Sequence, residues 1–343
     1  MRARAATLVA LTGLFVAACG SRTAPAEQGR ATNPGADVVD MSDAARALML
    51  DTAQMRSVHG DFGWAEGPVW VEDDGGYLLM TDVPGKTIWK FTDEAGLSKW
   101  MSPSTNPDAT VTGSGGANGL TRLNASEVIV PDHGTRTLYA VDVLTRKTRT
   151  LADSYEGRPL NSPNDAALHE NGTIYFTDPP YGLSGDDDPL KAQPVNGVYA
   201  LSPSGAVTLI DGSLERPNGI ALSPDQRWLY VTNSNTDAVI KRYPVEASGA
   251  VGEGIVWQDF SDRRAEPGAG NLDGLVVARD GTLFVSGLGG ATVLSPAGDV
   301  LGTIDVGERC ANAELGGADG STLYLTCHTS LYTVPTNRRA QSG

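Results

Sequence analysis

One sequence pattern recurs six times between residues 64 and 334, and it constrains the fold more than any other feature. Each copy opens with a polar residue, continues through a short apolar strand that often ends in Thr-Asp or Thr-Asn, and adds another strand after a turn. The opening residues are Glu66, Asn118, Asn164, Asn218, Asp273 and Asn312. They lie about 40 to 55 residues apart, a period typical of the blades of a propeller.

The strands within each copy are short and rich in β-branched and aromatic residues, and turn signals such as Asp-Gly separate them. No long segment with a 3.6-residue apolar period lies between the copies, which disfavours a parallel fold built from alternating strands and helices. The pattern therefore predicts an all-β, six-bladed β-propeller over residues 52–335, followed by a tail at 336–343. An irregular β-sandwich is the alternative.

The charge composition of the chain limits the classes of molecule that it can bind. The chain of 343 residues has 41 acidic against 26 basic side chains and a formal net charge of −15. A balance this acidic argues against nucleic-acid binding, which depends on basic side chains. We expect a monomer, because a closed propeller leaves few strand edges to pair.

The first residues of the chain have the features of a targeting signal. Arg2 and Arg4 precede an uncharged, mostly apolar run at 5–18, which has the length of a secretory signal peptide. The run ends in Val-Ala-Ala before Cys19 and resembles the lipobox of bacterial lipoproteins. This predicts a signal peptide at 1–18, a lipidated Cys19 with a flexible tether at 19–51, and an exported periplasmic protein attached to the membrane, preferably the outer one, only through that lipid. An ordinary signal peptide with an unrelated Cys is the alternative.

The six opening residues have a chemical property in common. The innermost strand of every propeller blade runs beside the central channel, so equivalent positions form a ring around the axis. All six residues here carry a carboxylate or a carboxamide, the oxygen ligands that hard divalent cations prefer. The sequence therefore predicts a central metal site. The alternative is that the Asn-Gly and Asp-Gly pairs are simply turn residues.

At these residues the sequence resembles the regucalcin/gluconolactonase family of six-bladed propellers, and most closely its bacterial sugar-lactone lactonases. The resemblance covers residues 62–334. The motifs that carry it are Trp64-Ala65-Glu66-Gly67-Pro68-Val69-Trp70, Asp132-His133-Gly134-Thr135-Arg136, Asn161-Ser162-Pro163-Asn164-Asp165, Thr177-Asp178-Pro179-Pro180-Tyr181-Gly182-Leu183, Arg216-Pro217-Asn218-Gly219-Ile220-Ala221 and Asn271-Leu272-Asp273-Gly274.

The resemblance implies hydrolysis of lactones at one divalent cation. Its metal ligands would be Glu66, Asn164, Asn218 and Asp273. Ca²⁺ is the ion we expect, with Mg²⁺, Mn²⁺ and Zn²⁺ as alternatives. Hydrolysis also needs a carboxylate to take a proton from water, and we assign Asp273 to this role.

Three further residues are candidates for contacts with a small lactone substrate at the mouth of the channel: Asn118, His133 and Tyr181. His133 has a second interpretation as a turn histidine. Asp165 and Asp178 are interpreted as carboxylates that pin their own loops by accepting backbone N–H groups. The sequence has no Gly-x-Ser-x-Gly elbow, which disfavours a serine-triad hydrolase.

Two questions stay open at the level of sequence. Cys310 and Cys327 would form a disulfide in an oxidising compartment, or they are two buried thiols. The substrate is a gluconolactone-like sugar lactone, another lactone or an aryl ester or phosphotriester, unless the propeller is a metal-binding module without catalytic activity.

Overall fold

The computed structural model describes residues 55–266 and 268–341, and these residues are almost entirely strands and connecting loops. Within them the chain forms six four-stranded sheets and one two-stranded ribbon. Neighbouring strands in every four-stranded sheet are antiparallel, and the sheets follow one another along the chain as blades. The all-β, six-bladed β-propeller predicted from the repeats is confirmed.

The first described strand, β1 (Arg56–His59), belongs to the last blade. Blade 1 contains β2 (Ala65–Val71), β3 (Tyr77–Asp82), β4 (Thr87–Thr92) and β5 (Gly96–Met101), with a 3-10 turn at Asp73–Gly75. Blade 2 contains β6 (Thr121–Arg122), β7 (Glu127–Asp132), β8 (Thr137–Asp142) and β9 (Thr148–Ala152). A ribbon of β10 (Ser154–Tyr155) and β11 (Arg158–Pro159) follows.

Blade 3 contains β12 (Ala166–Leu168), β13 (Ile174–Asp178), β14 (Gly197–Leu201) and β15 (Val207–Asp211). Blade 4 contains β16 (Pro217–Leu222), β17 (Trp228–Asn233), β18 (Val239–Pro244) and β19 (Ile255–Asp259), and the short helix α1 (Ser261–Arg264) follows it. Blade 5 contains β20 (Leu272–Val277), β21 (Leu283–Gly287), β22 (Ala291–Leu294) and β23 (Val300–Ile304). Blade 6 contains β24 (Cys310–Gly316), β25 (Thr322–Cys327), β26 (Ser330–Pro335) and β1.

The hydrophobic core lies between the blades. Alternate residues of a strand point to opposite faces of its sheet, so the second strand of each blade supplies both neighbouring gaps. In β3, Leu79 packs towards blade 2 while Leu78 and Met80 pack towards blade 6. The second strands therefore read as continuous apolar runs, and six buried clusters among the described residues fill the gaps between blades.

The Thr-Asp ending of the second strand has two structural functions. Its Thr hydroxyl reaches the next blade: Thr81 Oγ1 donates to Asn118 O at 2.9 Å, and Thr177 Oγ1 donates to Asn218 O at 2.6 Å. Its Asp pins the loop that leads into its own blade, as when Asp178 accepts the backbone N–H groups of Asn161 and Ser162, both at 2.7 Å. One recurring dipeptide thus connects each such blade to its neighbour and to its own entry loop.

The propeller is closed by strands from both ends of the described chain. β1 pairs antiparallel with β26, from Arg56 opposite Thr333 to His59 opposite Ser330. A disulfide joins Cys310 and Cys327, which are paired residues of β24 and β25 in the same blade. The segment after β26 stays attached to the blades, since Gln341 Nε2 donates to Leu222 O at 3.1 Å and to Val277 O at 2.9 Å.

The predicted signal peptide, the lipidated Cys19 and the whole of the predicted tether lie outside the described residues. In the part of the chain that the structure describes, no helix has the length and apolar character needed to cross a membrane.

Blades 3 and 4 are also linked by a polar contact at Asp211, which predicts a pH-dependent contribution to stability. Lys241 Nζ and Tyr243 Oη donate to Asp211 Oδ2 at 2.8 and 2.7 Å. Burial acts to raise the pKa of Asp211, but these donors and the Ser213 N–H outweigh it and lower the pKa from 3.8 to about 2. The carboxylate therefore stabilises the fold above its unfolded pKa, and this contribution is lost as the pH falls through about 2.

We expect Asp211→Asn to lower the free energy of unfolding by about 2 kcal/mol at neutral pH. The difference from wild type should shrink as the pH is lowered from about 5 towards 2. Urea unfolding over this pH range measures both quantities, with the exposed Asp187→Asn as the matched control. A difference that stays constant with pH would contradict the assigned origin of the stabilisation.

The disulfide closes a loop with a sequence separation of 17 residues in the blade that also closes the ring. Replacement of both Cys310 and Cys327 by Ala should lower the free energy of unfolding by about 3 kcal/mol, because the unfolded chain regains the entropy of the open loop. Denaturant unfolding of this variant, and of wild type with and without a reductant, provides the measurement. If the reductant leaves the wild-type midpoint unchanged while the thiols are shown to be free, the bond does not stabilise the fold.

Candidate active site

A cavity of about 320 Å³ opens at the end of the channel where the inner strands of the blades begin. The structure brings all seven predicted metal, catalytic and substrate residues into its lining: Glu66, Asn118, His133, Asn164, Tyr181, Asn218 and Asp273. The sixth ring residue, Asn312, instead lines a second cavity of about 870 Å³ formed by the opposite ends of the inner strands. The first cavity is therefore the candidate active site.

The residue after each ring position is usually glycine because neighbouring inner strands nearly touch there. A Cβ atom on Gly219 would lie 2.6 Å from Asp273 O, and one on Gly274 would lie 2.1 Å from the side chain of Asn312. Gly67 has the same constraint and also a positive φ of 48°. The Asn-Gly and Asp-Gly pairs at 218 and 273 lie inside strands β16 and β20, so the interpretation of these pairs as turn residues is wrong.

The pairing of the first two strands is irregular at these positions. The register shifts between Glu66 and Val69 in blade 1, and between Leu272 and Leu275 in blade 5. An irregularity of this kind redirects a side chain that regular alternation would place towards a neighbouring blade. The ring residues can therefore point along the channel while the strands that carry them remain paired.

The ring side chains form a continuous belt of hydrogen bonds. Asn118 Nδ2 donates to Asn164 Oδ1 at 3.0 Å, and Asn164 Nδ2 donates to Asn218 Oδ1 at 2.8 Å. Asn218 in turn lies beside the Asp273 carboxyl, and Asp273 lies beside Glu66. Side chains from different blades thus hold each other in place at the bottom of the cavity.

His133 lies in the turn that follows β7, and it is also a buried member of this network in the cavity lining. Its Nε2 lies 3.2 Å from Asn118 Nδ2 and 3.1 Å from Asn164 Oδ1. Burial lowers the pKa of His133 to about 4, so the ring is neutral near pH 7. The amide nitrogen of Asn118 is occupied by this network, whereas its buried Oδ1 has no hydrogen-bond partner among the described residues.

The carboxyl groups of Glu66, which is buried, and Asp273, which is half-buried, lie next to each other. Burial raises the pKa of Glu66 to about 7 and raises the pKa of Asp273 well above its usual value, and the proximity of Glu66 adds to the effect at Asp273. Within the described residues neither carboxyl forms an ion pair with Lys or Arg. Such a pair is stabilised when a cation binds between the groups.

The donor set fits a hard divalent cation. It combines these two carboxyl groups with three carboxamides, one of which has the unpartnered buried oxygen of Asn118. Oxygen donors of this kind suit Ca²⁺ and Mg²⁺ better than zinc, which is usually held by nitrogen and sulfur. The described residues contain no group of three or more His, Cys, Asp or Glu side chains placed to hold a metal.

The rim of the cavity comes from loops outside the repeat. Tyr181 lies at the mouth, where burial raises the pKa of its hydroxyl to about 12 although the neighbouring Ser234 and Asn218 act to lower it. Trp64 packs against His328, with 5.4 Å between the ring centroids. Trp64, Ser234, Asn271 and Arg309 also line the cavity, and sequence reasoning missed all four because they belong to loops that differ from blade to blade.

Asp165 and Asp178 lie outside this cavity. Asp178 pins its loop as predicted, through the backbone bonds described above, and burial raises its pKa to about 7. Asp165 Oδ1 accepts the N–H of the next residue, Ala166, at 2.9 Å, and its side chain faces the second cavity beside Asn312 and Glu314.

Comparison with known proteins gives a consistent result. The family described as SMP-30/Gluconolactonase/LRE-like region matches residues 64–329. A gluconolactonase of Zymomonas mobilis is 35% identical over 307 residues, which cover 87% of this chain and 86% of that protein. Solved structures of a gluconolactonase from Xanthomonas campestris (25% identity, TM-score 0.76, 92% and 99% coverage) and of a calcium-binding regucalcin from Agrobacterium tumefaciens (17%, 0.64, 86% and 95%) are similar, the latter in fold alone. The chain therefore belongs to the SMP-30/gluconolactonase/LRE-like family.

Proposed function

We propose that this lactonase hydrolyses a gluconolactone-like sugar lactone to the aldonic acid with the help of one divalent cation, Ca²⁺ in the first instance. The observation that carries the proposal is the belt of amide groups ending in the Glu66–Asp273 pair, inside a cavity of about 320 Å³. A cavity of this size suits a single small molecule. The gluconolactonase of Zymomonas mobilis, with similar sequence over most of its length, supports the substrate class.

Glu66, Asn164, Asn218 and Asp273 would hold the cation. When bound, it would supply Lewis-acid polarisation of the lactone carbonyl, a contribution of several kcal/mol in comparable enzymes. It would also bring Glu66 and Asp273 back to the ionised state at neutral pH, because a nearby positive charge favours the carboxylate form.

The chain's own residues would then carry the proton and orient the sugar. Asp273, as a carboxylate, would accept a proton from the attacking water, whose oxygen adds to the carbonyl carbon. The C–O bond of the lactone ring then breaks. The proton held by Asp273 passes to the departing alkoxide oxygen, and the product is the aldonic acid. Asn118 Oδ1, which has no partner among the described residues, and the Tyr181 hydroxyl would form hydrogen bonds with hydroxyl groups of the sugar.

We also propose that the protein is an exported monomer, anchored in the periplasm through a lipid on Cys19. The disulfide between Cys310 and Cys327 supports a compartment outside the cytoplasm, since disulfides persist mainly in oxidising environments.

The role of Asp273 predicts the effect of a conservative change. Asp273→Asn keeps an oxygen ligand but removes the proton acceptor, so kcat for the lactone should fall by about 10²-fold or more. Lactone opening can be followed by pH-stat titration, with Asp187→Asn as the matched control and circular dichroism as the test of folding. Turnover within a factor of a few of wild type would remove Asp273 from this role.

The role of the cation predicts a linked change in stability and activity. Chelation should abolish hydrolysis and lower Tm, and Ca²⁺ at about 100 times its Kd should restore about 2.7 kcal/mol of stability. In Glu66→Gln the Ca²⁺-dependent shift in Tm should be much smaller, whereas the exposed Glu94→Gln should behave as wild type. Equal shifts in Glu66→Gln and wild type would place the cation elsewhere.

A further inference from the structure

The cavity rim carries one positive side chain that the proposed reaction does not use. Arg309 is exposed to solvent and is the only Lys or Arg among the described residues that line this cavity. No hydrogen bond or ion pair of its guanidinium to another described residue is present. An Arg held at the mouth of a small-molecule cavity without a partner is available to an anionic group.

Glu308, the residue before Arg309, uses its carboxylate in hydrogen bonds to other residues. Glu308 Oε2 accepts the backbone N–H and the hydroxyl of Thr329, both at 3.1 Å, while Oε1 accepts the hydroxyls of Ser330 and Tyr332 at 2.7 and 3.0 Å. Four donors therefore hold this carboxylate against β26. It makes no ion pair with the guanidinium of Arg309.

The backbone of Arg309 is fixed on both sides. Its carbonyl accepts the N–H of His328 at 2.9 Å, and the next residue, Cys310, is joined to Cys327 by the disulfide. The side-chain stem lies over Gly270 on the opposite side of the rim, where a Cβ atom would come within 3.3 Å of Arg309 Cδ. The guanidinium is therefore carried on a restrained base at the entrance.

The charges of the side chains that line the cavity show why the positive charge of Arg309 matters. Glu66 and Asp273 are the only acidic side chains among the described lining residues. A bound dication would balance the two carboxylates, which leaves Arg309 as the excess charge. The nearby Arg216 does not add to it, because it pairs with Asp186 at 2.6 Å.

We infer that Arg309 is a specificity residue that selects sugar lactones carrying an anionic substituent, such as a phosphate or a carboxylate, at the end of the molecule remote from the lactone carbonyl. This inference rests on the proposed function and extends it to a substrate class. The net charge of −15 repels anions at long range, so a local cation at the entrance is what allows such a substrate to bind.

The test compares three substrates: glucono-1,5-lactone, which is neutral, its 6-phosphate, and glucaro-1,4-lactone, which carries a free carboxylate. The ratio of kcat/KM for each anionic lactone to that for the neutral one should exceed unity in wild type. In Arg309→Gln this ratio should fall about tenfold, mainly through KM, since a charge-assisted hydrogen bond is lost. Arg309→Lys should retain part of it, and the exposed Arg279→Gln should leave it at the wild-type value.

A binding measurement makes the result independent of turnover. By isothermal titration calorimetry, gluconate 6-phosphate should bind wild type about tenfold more tightly than it binds Arg309→Gln, and the gap should narrow in high salt. The two anionic lactones show which anion the site prefers. An equal loss on neutral and anionic lactones, or a wild-type preference for the neutral one, would overturn this inference alone. A wild-type protein that opens none of the three lactones would overturn the proposed function as well.

Discussion

The close approach of the inner strands at the axis is the constraint on which the other features depend. At Gly219 and Gly274 there is no room for even one carbon atom between neighbouring blades. This approach brings side chains that lie about fifty residues apart in sequence within hydrogen-bond distance, as in Asn164 Nδ2 to Asn218 Oδ1 at 2.8 Å. It also leaves the carboxyl groups of Glu66 and Asp273 side by side with no basic partner among the described residues, an arrangement that a bound cation would stabilise.

The fold was largely predictable because the apolar pattern that recurs in the sequence reflects the burial of strands between blades. The second strand of each blade is apolar on both faces, since both faces pack against other blades, and its Thr-Asp ending marks contacts that recur around the ring. The outer strands show no such apolar pattern. Leu209 of β15 and Ile255 of β19 are exposed, so no burial pattern distinguishes these strands from loops. The closing strand β1 was missed for a related reason, since its partner β26 lies at the other end of the described chain.

The candidate site also has features that the sequence predicts and features that it does not. The seven cavity residues found by sequence belong to motifs that recur or that resemble a family, and the structure gathers them in one cavity. The direction of each amide is set by contacts between blades and could not be predicted: the free oxygen of Asn118 results from its amide nitrogen being occupied by Asn164 and His133. The sixth ring position shows the limit of the symmetry, because Asn312 Nδ2 supports Glu66 from the side of the second cavity.

The pairing of β1 with β26 has a consequence for how the chain could be rearranged. The first and last strands of the described fold, β1 and β26, are neighbours in one sheet. The point at which the ring is cut is therefore a matter of chain order and not of blade geometry. Termini that lie this close are the condition under which circular permutation is tolerated. A propeller opened at the turn between two other strands, with its present ends joined, would keep every contact around the channel.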